Sequence, residues 1–343
     1  MEGRRTVGTE RGDMRRAHLE HLVCPTCKIN LTLRVDSQQG DRIETGELSC
    51  GACSAHFPIV GFVPRFAAMG DGNYANAFGF QWNRHYRTQY DGYTGAPISE
   101  ERFFKETRWP RRLDGEVILE AGSGSGRFTE HAAATGATVI SFDYSHAVEA
   151  NYRNNGHLPN LLIVQASIYE MPFRPAYFNR VVCIGVVQHT PDPRRSFDCL
   201  AEMLRPAGQL VVDAYRRFAW WKQLLITKYW VRPFTRRLSP PALYRFCERW
   251  VEVWWKPTDL ARRLSGSRGL SWMLLVPDYR GVYALPDDVQ REWAVLDMFD
   301  MLSPAYDFPQ TLDSVRSWFA GAGLTDVDIG YGFNGIEGRG SRP

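Results

Sequence analysis

The sequence predicts an α/β protein whose mainly parallel sheet carries helices on both faces, preceded by a small metal-binding module. Three observations predict this architecture. Apolar, strand-like runs alternate with helical segments between residues 115 and 215. A glycine-rich turn, GSGSG, follows the first of those runs. Two C-x-x-C pairs lie ahead of both features, within the first 53 residues.

Length and composition set the outer limits of this interpretation. The 343 residues suffice for two domains or for one decorated domain, and 44% hydrophobic with 23% charged residues is typical of a soluble globular protein. A net charge of +3 does not by itself indicate a polyanionic partner. No apolar run approaches the roughly 18 residues that span a bilayer, and the N-terminal segment lacks the apolar stretch of a signal peptide. We therefore expect a cytoplasmic protein with a disordered tail over residues 1–19.

The first module, residues 20–66, is predicted from its cysteines. The segments CPTC and CGAC form two tight turns separated by 22 residues of alternating, strand-like sequence. A hairpin between the turns brings four thiolates into the tetrahedron that zinc prefers, and such a closed set leaves no open position, so the zinc would be structural. The alternative is two reduced pairs without metal. The predicted ligands are Cys24, Cys27, Cys50 and Cys53, whereas Cys183, Cys199 and Cys247 lie in apolar contexts typical of core residues.

The text around these cysteines resembles a known group of proteins. LVCPTCKINL and CSAHFPIVGFVPRF combine the C-x-x-C ribbon with an aromatic-Pro-Ile segment and a G-x-x-P turn. The segment is similar to small zinc-ribbon proteins that activate methyltransferases, and the resemblance covers residues 20–66.

The second module begins with the run EVILEAG (115–121) and the helical segment RFTEHAAATG, which ends at Gly136. Further strand-like runs follow in the order ATVISFD (ending at residue 143), LLIVQA (161–166), RVVCIGVV (180–187) and QLVVDAY (209–215). In a parallel sheet built this way, ligands bind beyond the carboxyl ends of the strands, near the first strand. The glycine turn lies at that position.

The glycine pattern indicates which ligand is bound. A dinucleotide fold requires G-x-G-x-x-G, whereas Gly122, Gly124 and Gly126 form G-x-G-x-G and Arg127 stands at the third position. A bulky residue there argues against the close packing of a pyrophosphate on the helix. Asp143 ends the second strand, where a carboxylate can accept hydrogen bonds from ribose hydroxyls.

Several segments in the same order extend this interpretation to a family. These are VILEAGSGSGRF, FDYS, VQASIYEMPF, VVCIGVVQHTPDP and EMLRPAGQLVVDAY. On them the chain resembles the class I S-adenosylmethionine-dependent methyltransferases, close to their small-molecule (type 11) branch. The resemblance covers residues 115–215, with closing elements over 309–343, and implies a Rossmann-like sheet.

The resemblance also implies which residues bind the cofactor. The first strand and its loop would hold the methionine end, Asp143 the ribose, and the segment at 165–168 the adenine. Ser167 departs from the family, which usually has Asp there, and a neutral hydroxyl is a weaker acceptor. Glu120 could instead cap the following helix, and Asp143 could order a turn. The expected cofactor-binding residues are Glu120, Ala121, Gly122, Ser123, Gly124, Gly126, Asp143, Tyr144, Ala166, Ser167, Ile168, Ile184 and Gly185.

Methyl transfer needs a base only if the acceptor must lose a proton. His189, just past the fourth strand, is the candidate because imidazole titrates near neutral pH; the alternative is a histidine that orders its loop. Asp213 and Tyr215, at the end of the fifth strand, could reach the acceptor. Asp192 followed by Pro193 predicts a helix N-terminus.

Two regions outside the core are expected to form the acceptor side. Residues 67–114 would form a helical lid over the cofactor, and residues 216–308 a helical insertion after the fifth strand. Between residues 216 and 263 there are twelve Lys or Arg and three Asp or Glu, a net charge of +9, together with six of the eleven tryptophans. This composition suits peripheral contact with a membrane or a lipid-linked substrate, and it also suits stacking on RNA bases. An ordinary helical cap with core tryptophans is the third interpretation.

Three functions follow from these features. The first is an S-adenosylmethionine-dependent methyltransferase that acts on a small-molecule or lipid-linked acceptor, such as a sugar or natural product. The second is an RNA base methyltransferase that uses the ribbon for recognition; a DNA partner is not expected. The third is a non-catalytic zinc-ribbon partner protein. The intact glycine loop and Asp143 argue against the third.

Overall fold

The computed structural model describes residues 14–67, 73–224 and 226–343, and in that part of the chain two sheets are formed. The first belongs to the N-terminal ribbon, which starts with a 3-10 helix, Arg16–His21. Four antiparallel strands follow: β1 (Leu31–Gln39), β2 (Arg42–Cys50), β3 (His56–Val60) and β4 (Val63–Pro64).

The ribbon begins earlier than its cysteines indicated. Residues 1–13 of the predicted tail lie outside the described residues. Residues 14–19, however, pack on the ribbon, which contradicts their assignment to the tail. Met14 is fully buried, its N–H donates to the Phe62 carbonyl and its carbonyl accepts from the Ile43 N–H. The apolar side chain of Met14 is therefore part of the ribbon core.

Three helices connect the ribbon to the core: α1 (Asn76–Arg84), α2 (Asp91–Thr94) and α3 (Ile98–Thr107). The core then alternates strands and helices. Its elements are β5 (Val117–Ala121), α4 (Arg127–Ala134), β6 (Thr138–Asp143), α5 (Val148–Asn155), β7 (Leu161–Gln165), β8 (Phe178–Cys183), a 3-10 turn (Val187–His189), α6 (Pro193–Glu202) and β9 (Leu204–Ala214). As predicted, α6 begins at the Asp192–Pro193 pair, where the Asp192 carboxylate accepts the Arg195 N–H at 3.0 Å.

After β9 the chain forms the predicted helical insertion and then closes the core. The insertion contains α7 (Trp220–Gln223), α8 (Lys228–Thr235), α9 (Pro240–Ser265), α10 (Gly269–Met273) and α11 (Asp287–Leu302). The closing elements are α12 (Leu312–Gly321), β10 (Thr325–Tyr331) and β11 (Ile336–Ser341).

The core sheet has the order β10-β11-β9-β8-β5-β6-β7, with β5 to β9 parallel and the last two strands antiparallel. Its parallel strands are apolar on both faces, as in β7, because helices cover the sheet on each side. The strand order switches beside β5, because β6 and β7 lie on one side of it and β8 and β9 on the other. This switch point opens a crevice at the carboxyl ends of β5 and β8. The predicted α/β, Rossmann-like class is confirmed.

The ribbon docks on the free edge of this sheet. The Phe66 N–H donates to the Gln165 carbonyl of β7 at 2.7 Å, so the ribbon covers an edge that would otherwise be unpaired. The buried Arg65 side chain strengthens the contact, with one nitrogen 2.5 Å from Glu149 and another 3.2 Å from the Gln165 amide oxygen.

The insertion has its own apolar core between α9 and α11, formed by residues such as Leu243, Val251, Met298 and Phe299. Of the six tryptophans in residues 216–263, Trp255 is buried, Trp250 and Trp254 are partly buried, and the other three are exposed. The tryptophans thus divide between two of the predicted roles, because one set supports the helix pair and the other faces solvent.

The four predicted ligand cysteines converge in the ribbon, where their Sγ atoms all lie within 4.8 Å of one another. The Sγ atoms of Cys24 and Cys53 are 3.7 Å apart. Tetrahedral zinc with Zn–S bonds of about 2.3 Å separates its sulfurs by about 3.8 Å, so the cluster fits the ion. All four positions would be filled by protein sulfur, which identifies the zinc as structural rather than catalytic.

Removal of this zinc should destabilise the protein without removing a catalytic ion. Because the ribbon lacks a large core, zinc binding contributes directly to its folding free energy. We expect a chelator, or Cys50→Ser, to lower the melting temperature and the bound zinc in parallel. The matched control is Cys199→Ser, a partly buried cysteine outside the cluster, which should retain zinc. Lost methyl transfer at an unchanged melting temperature would contradict a structural role.

Candidate active site

The glycine turn lies in the crevice between β5 and β8. Gly122 and Gly124 have φ values of 75° and 55°, in the left-handed region that side chains disfavour. A Cβ on Gly122 would lie 2.3 Å from a methyl carbon of Val186, and one on Gly124 would lie 2.9 Å from the Trp82 indole nitrogen. Glycine is therefore required here both for backbone conformation and for space.

A cavity of about 880 Å³ opens from this turn and extends to the insertion. The lid contributes Phe78, Gln81 and Trp82 to its wall, and α11 contributes Trp293, Asp297 and Asp300. Ten of the residues predicted for cofactor binding or catalysis line it together: Gly122, Ser123, Gly124, Asp143, Tyr144, Ile168, Ile184, Gly185, His189 and Tyr215.

Asp143 orders the turn after β6, which is the alternative that the sequence left open, and its role in ribose binding stays a prediction. One carboxylate oxygen accepts the Gly124 N–H at 2.9 Å, and the other accepts from the backbone and hydroxyl of Ser145 at 2.8 and 2.7 Å. The carboxylate therefore ties the glycine turn to the end of β6 and still borders the cavity. Burial raises the pKa of Asp143, although these hydrogen bonds favour its charged form.

Glu120 lies behind the glycine turn and does not line the cavity. Its carboxylate accepts hydrogen bonds from the Thr129 and Ser141 hydroxyls at 2.5 and 2.7 Å, and burial raises its pKa to about 7. The expectation that Glu120 holds the methionine end is thus contradicted, because its side chain bonds α4 to β6. Ala121 and Ala166 are likewise buried in the sheet.

Gly126 and Ser167 also lie outside the cavity wall. Gly126 precedes α4 with φ of 87°, and a Cβ there would lie 2.1 Å from the Asn151 amide oxygen, so it serves helix packing. The Ser167 hydroxyl accepts the Tyr169 N–H at 3.2 Å in a local turn. The cavity wall near the predicted adenine site is instead apolar, formed by Ile168 beside Phe142.

Asp213 does not reach the cavity, contrary to the role predicted for it. It is fully buried at the end of β9, where one oxygen accepts the Gly185 N–H and the other lies 2.9 Å from the Arg102 guanidinium. Arg102 also pairs with Glu106 at 2.5 Å. Asp213 therefore positions the turn after β8 and anchors the lid helix α3.

His189 and Tyr215 border the cavity together, with their rings edge-to-face at 5.2 Å. The His189 Nδ1 lies 3.0 Å from the Tyr306 carbonyl, which can only accept, so Nδ1 carries the proton and Nε2 carries a lone pair. Among the described residues this buried Nε2 has no hydrogen-bond partner. Burial lowers the pKa of His189, so the ring is neutral at neutral pH.

Two carboxylates in the cavity were not predicted. Asp300 accepts from the Tyr215 hydroxyl at 3.3 Å and from the Gln81 amide at 3.2 Å, and Asp297 accepts from the Tyr279 hydroxyl at 2.6 Å. Burial raises the pKa of Asp297 to about 7. The segment LDMFDML could have indicated these two carboxylates, because acids three residues apart share one face of a helix and the rest of the segment is apolar.

The residues present fit S-adenosylmethionine. The glycine turn forms part of the cavity wall, Asp143 offers a carboxylate there, and Ile168 provides an apolar surface for a base. The Gly185 carbonyl side of the turn after β8 borders the same space.

Comparison with known proteins agrees with this geometry. Residues 119–212 match the family described as Methyltransferase domain, and residues 15–61 match the Trm112p-like protein family. The demethylmenaquinone methyltransferase of Tropheryma whipplei strain Twist is 27% identical over 187 residues, which is 50% of this chain and 78% of that protein. The tRNA U34 carboxymethyltransferase of Ruthia magnifica is 30% identical over 108 residues, 29% of this chain and 33% of that protein.

One solved structure combines both kinds of domain as separate chains. It is a complex between the Trm112 methyltransferase activator and a putative methyltransferase of Haloferax volcanii, at 12% identity and a TM-score of 0.41, covering 80% of this chain and 100% of that chain. Together, the two domain matches, the cavity and the cysteine cluster identify the class. Residues 119–212 form a methyltransferase domain of the class I, S-adenosylmethionine-dependent kind, and the same polypeptide carries an N-terminal zinc ribbon.

Replacing Asp143 tests the placement of the cofactor. We expect Asp143→Ala to weaken the binding of S-adenosylhomocysteine by about 1–3 kcal/mol, the range for hydrogen bonds to a charged group. Titration calorimetry measures this change, and circular dichroism checks that the fold is retained. Asp313→Ala removes an exposed carboxylate on α12 and should leave the affinity unchanged. Equal affinities of Asp143→Ala and the unmodified protein would contradict the placement.

Proposed function

We propose that this enzyme methylates a hydroxyl group, or a comparable proton-bearing nucleophile, on an amphiphilic acceptor such as a lipid-linked molecule. The observation that carries the proposal is the continuity of the cavity. One space runs from the glycine turn to an aromatic wall in the insertion and ends among exposed aromatic side chains. Its volume of about 880 Å³ lies near the top of the range of roughly 300–1,000 Å³ for ligand pockets, which suits a cofactor together with a second molecule.

When bound, S-adenosylmethionine supplies a methyl group on a positively charged sulfur. The protein must then orient the acceptor, exclude water and receive a proton. The aromatic and aliphatic side chains around the cavity exclude water, which strengthens each polar interaction inside it. Holding both molecules in one cavity contributes to rate through proximity and orientation.

His189 is proposed as the base. His189 lines the cavity, and its Nε2 has no partner among the described residues, so this nitrogen can accept the acceptor's proton. Tyr306 fixes the tautomer through Nδ1, and the aromatic rings of Phe78 and Tyr215 hold the imidazole plane. The negative charge of nearby Asp300 would stabilise the imidazolium that forms.

Tyr215 is proposed as a positioning residue rather than as a base. Burial raises the pKa of its hydroxyl well above the ordinary value of 10.0, so the hydroxyl stays protonated and donates to Asp300. This hydrogen bond orients Asp300 beside the imidazole. Asp213 acts on the site only indirectly, because its carboxylate accepts the Gly185 N–H and so positions the turn after β8.

The rim of the cavity supports an acceptor that is taken from a membrane surface. We name the exposed aromatic side chains of this region the aromatic face: Phe218, Trp220, Trp221, Trp230, Phe234 and Trp272. Phe218 and Trp272 also line the cavity, so the face reaches its mouth. Exposed Arg216, Arg217 and Arg236 lie on the same segment, and cations beside tryptophans suit an anionic lipid surface. None of the described helices is long and apolar enough to cross a bilayer.

RNA is a second candidate acceptor, favoured by two of the matches. One relative is named a tRNA U34 carboxymethyltransferase, and the ribbon matches the Trm112p-like family. The basic insertion is also compatible with a phosphate backbone. The aromatic face favours the amphiphile because its apolar side chains reach the cavity mouth.

The deciding experiment uses methyl-labelled S-adenosylmethionine, the purified full chain and a fractionated lysate. The products are then separated into lipid, small-molecule, RNA and protein pools. We expect label in the lipid or small-molecule pool. Label confined to RNA, removed by ribonuclease, would establish the second candidate and overturn the first.

The proposed base predicts a particular pH dependence. Because burial lowers the pKa of His189 below 6.5, its neutral form persists as the pH falls, and kcat/KM should decline only below pH 6.5. We expect His189→Ala to lower kcat by about 10²–10⁴-fold and to abolish this acidic limb. The labelled-transfer assay measures both quantities.

The matched control is His157→Ala, which removes an exposed histidine outside the cavity and should leave the pH profile unchanged. Unaltered kcat in His189→Ala, or a wild-type acidic limb centred above pH 6.5, would rule out His189 as the base.

The aromatic face predicts membrane binding that depends on lipid charge. We expect the full chain to sediment with vesicles containing phosphatidylglycerol and to do so weakly with phosphatidylcholine alone. The triple variant Trp220→Ala, Trp221→Ala, Trp230→Ala should lose at least tenfold in vesicle affinity, because these indoles are more than half exposed and available for insertion.

The control variant changes Val253, Leu260 and Leu264 to Ala, which removes exposed apolar surface from α9 instead. It should bind vesicles as the unmodified protein does. An equal loss in both triple variants would show a non-specific effect of surface hydrophobicity and would contradict a dedicated face.

A further inference from the structure

Arg127 lies at the cavity without a paired carboxylate among the described residues. Arg127 begins α4, lines the cavity and places its guanidinium carbon 4.5 Å from the centre of the Phe128 ring. Among the described residues it forms no ion pair and no hydrogen bond to a carboxylate. Burial lowers the pKa of Arg127 to about 10, so the guanidinium remains charged at neutral pH. An uncompensated charge in a partly desolvated space costs free energy unless a ligand supplies the opposite sign.

A second guanidinium near the Phe128 ring, that of Arg102, has its charge compensated by carboxylates. Arg102 lies 5.4 Å from the Phe128 ring centre, and it pairs with Glu106 at 2.5 Å and with Asp213 at 2.9 Å. These two carboxylates satisfy the Arg102 guanidinium. The positive charge of Arg102 in turn repels that of Arg127. The protein therefore neutralises one of two adjacent cations and leaves the other open to the cavity.

Arg127 has further neighbours in the lid and in the insertion. Glu106 of α3 attracts it electrostatically but is already paired with Arg102. From the insertion, Asp297 and Tyr283 act on Arg127 electrostatically, and both line the cavity. Asp297 provides only part of a negative charge at neutral pH, because burial raises its pKa to about 7. Arg268 lines the same cavity, and its guanidinium donates to the Asp278 carbonyl at 3.3 Å rather than to a carboxylate.

We propose that Arg127, assisted by Arg268, binds a carboxylate or phosphate group of the methyl acceptor. The substrate class would then be an amphiphile with an anionic head group, whose apolar part lies against the aromatic wall. This inference rests on the proposed methylation of an amphiphilic acceptor. The methionine carboxylate of the cofactor has the same chemistry, but the groups that act on Arg127 belong to the lid helix α3 and to the insertion rather than to the strand ends.

The test compares two probes that differ only in the anionic group. Decyl phosphate and decanol are titrated by calorimetry, below their aggregation concentrations, into the full chain saturated with S-adenosylhomocysteine. We expect decyl phosphate to bind at least tenfold more tightly. Arg127→Gln should abolish this preference, Arg127→Lys should retain part of it, and Arg245→Gln, an exposed arginine on α9, should keep it in full.

Three results would overturn the inference. The first is equal binding of the two probes to the unmodified protein. The second is a preference that survives in Arg127→Gln. The third is a tenfold loss of S-adenosylhomocysteine affinity in Arg127→Gln, which assigns the charge to the methionine carboxylate. Because these are binding measurements, label found only in RNA would refute the proposed acceptor without deciding whether Arg127 binds an anion.

Discussion

The buried ion pair between Arg102 and Asp213 is the interaction on which the site most depends. Asp213 ends β9 and accepts the Gly185 N–H, while Arg102 belongs to the lid helix α3. Arg102 also lies 4.9 Å from the ring centre of Phe333, in the turn between β10 and β11. One guanidinium thus joins the lid, the core and the closing hairpin around the cavity. Removing one partner of such a pair typically costs about 3–5 kcal/mol, because the other charge stays buried.

Low polarity around the cavity determines the protonation of its side chains. Burial keeps His189 neutral and Tyr215 protonated, and it moves the pKa of Asp297 to about 7. These shifts have one physical cause, which is the loss of hydration of the charged form. The insertion supplies much of the enclosure, so the helices that we propose to recognise the acceptor also set the protonation of the cavity side chains.

The tryptophans of the insertion share one sequence pattern but occupy two different environments. Trp255 packs in the core between α9 and α11, whereas Trp220 and Trp230 face solvent. Their sequence contexts are similar, since each tryptophan lies among apolar and basic residues in a segment with a helical pattern. The packing of the helices separates them, because Trp255 lies on α9, which packs against α11, whereas Trp220 and Trp230 lie on α7 and α8, outside that contact. Composition predicted a helical cap with core tryptophans, which the structure shows, and an interface, which stays a prediction.

The sequence by itself determined the order of the core strands, the glycine turn, Asp143 and the four cysteines of the zinc ribbon. These features depend on short-range spacing, on the alternation of strands and helices, and on the backbone conformation that glycine permits. The tertiary structure alone decided that Glu120 and Asp213 bind neighbouring elements rather than ligands, and that Asp300 borders the cavity. The reason is that a polar side chain at a strand end or on an apolar helix has several possible partners, and the packing of distant segments chooses among them.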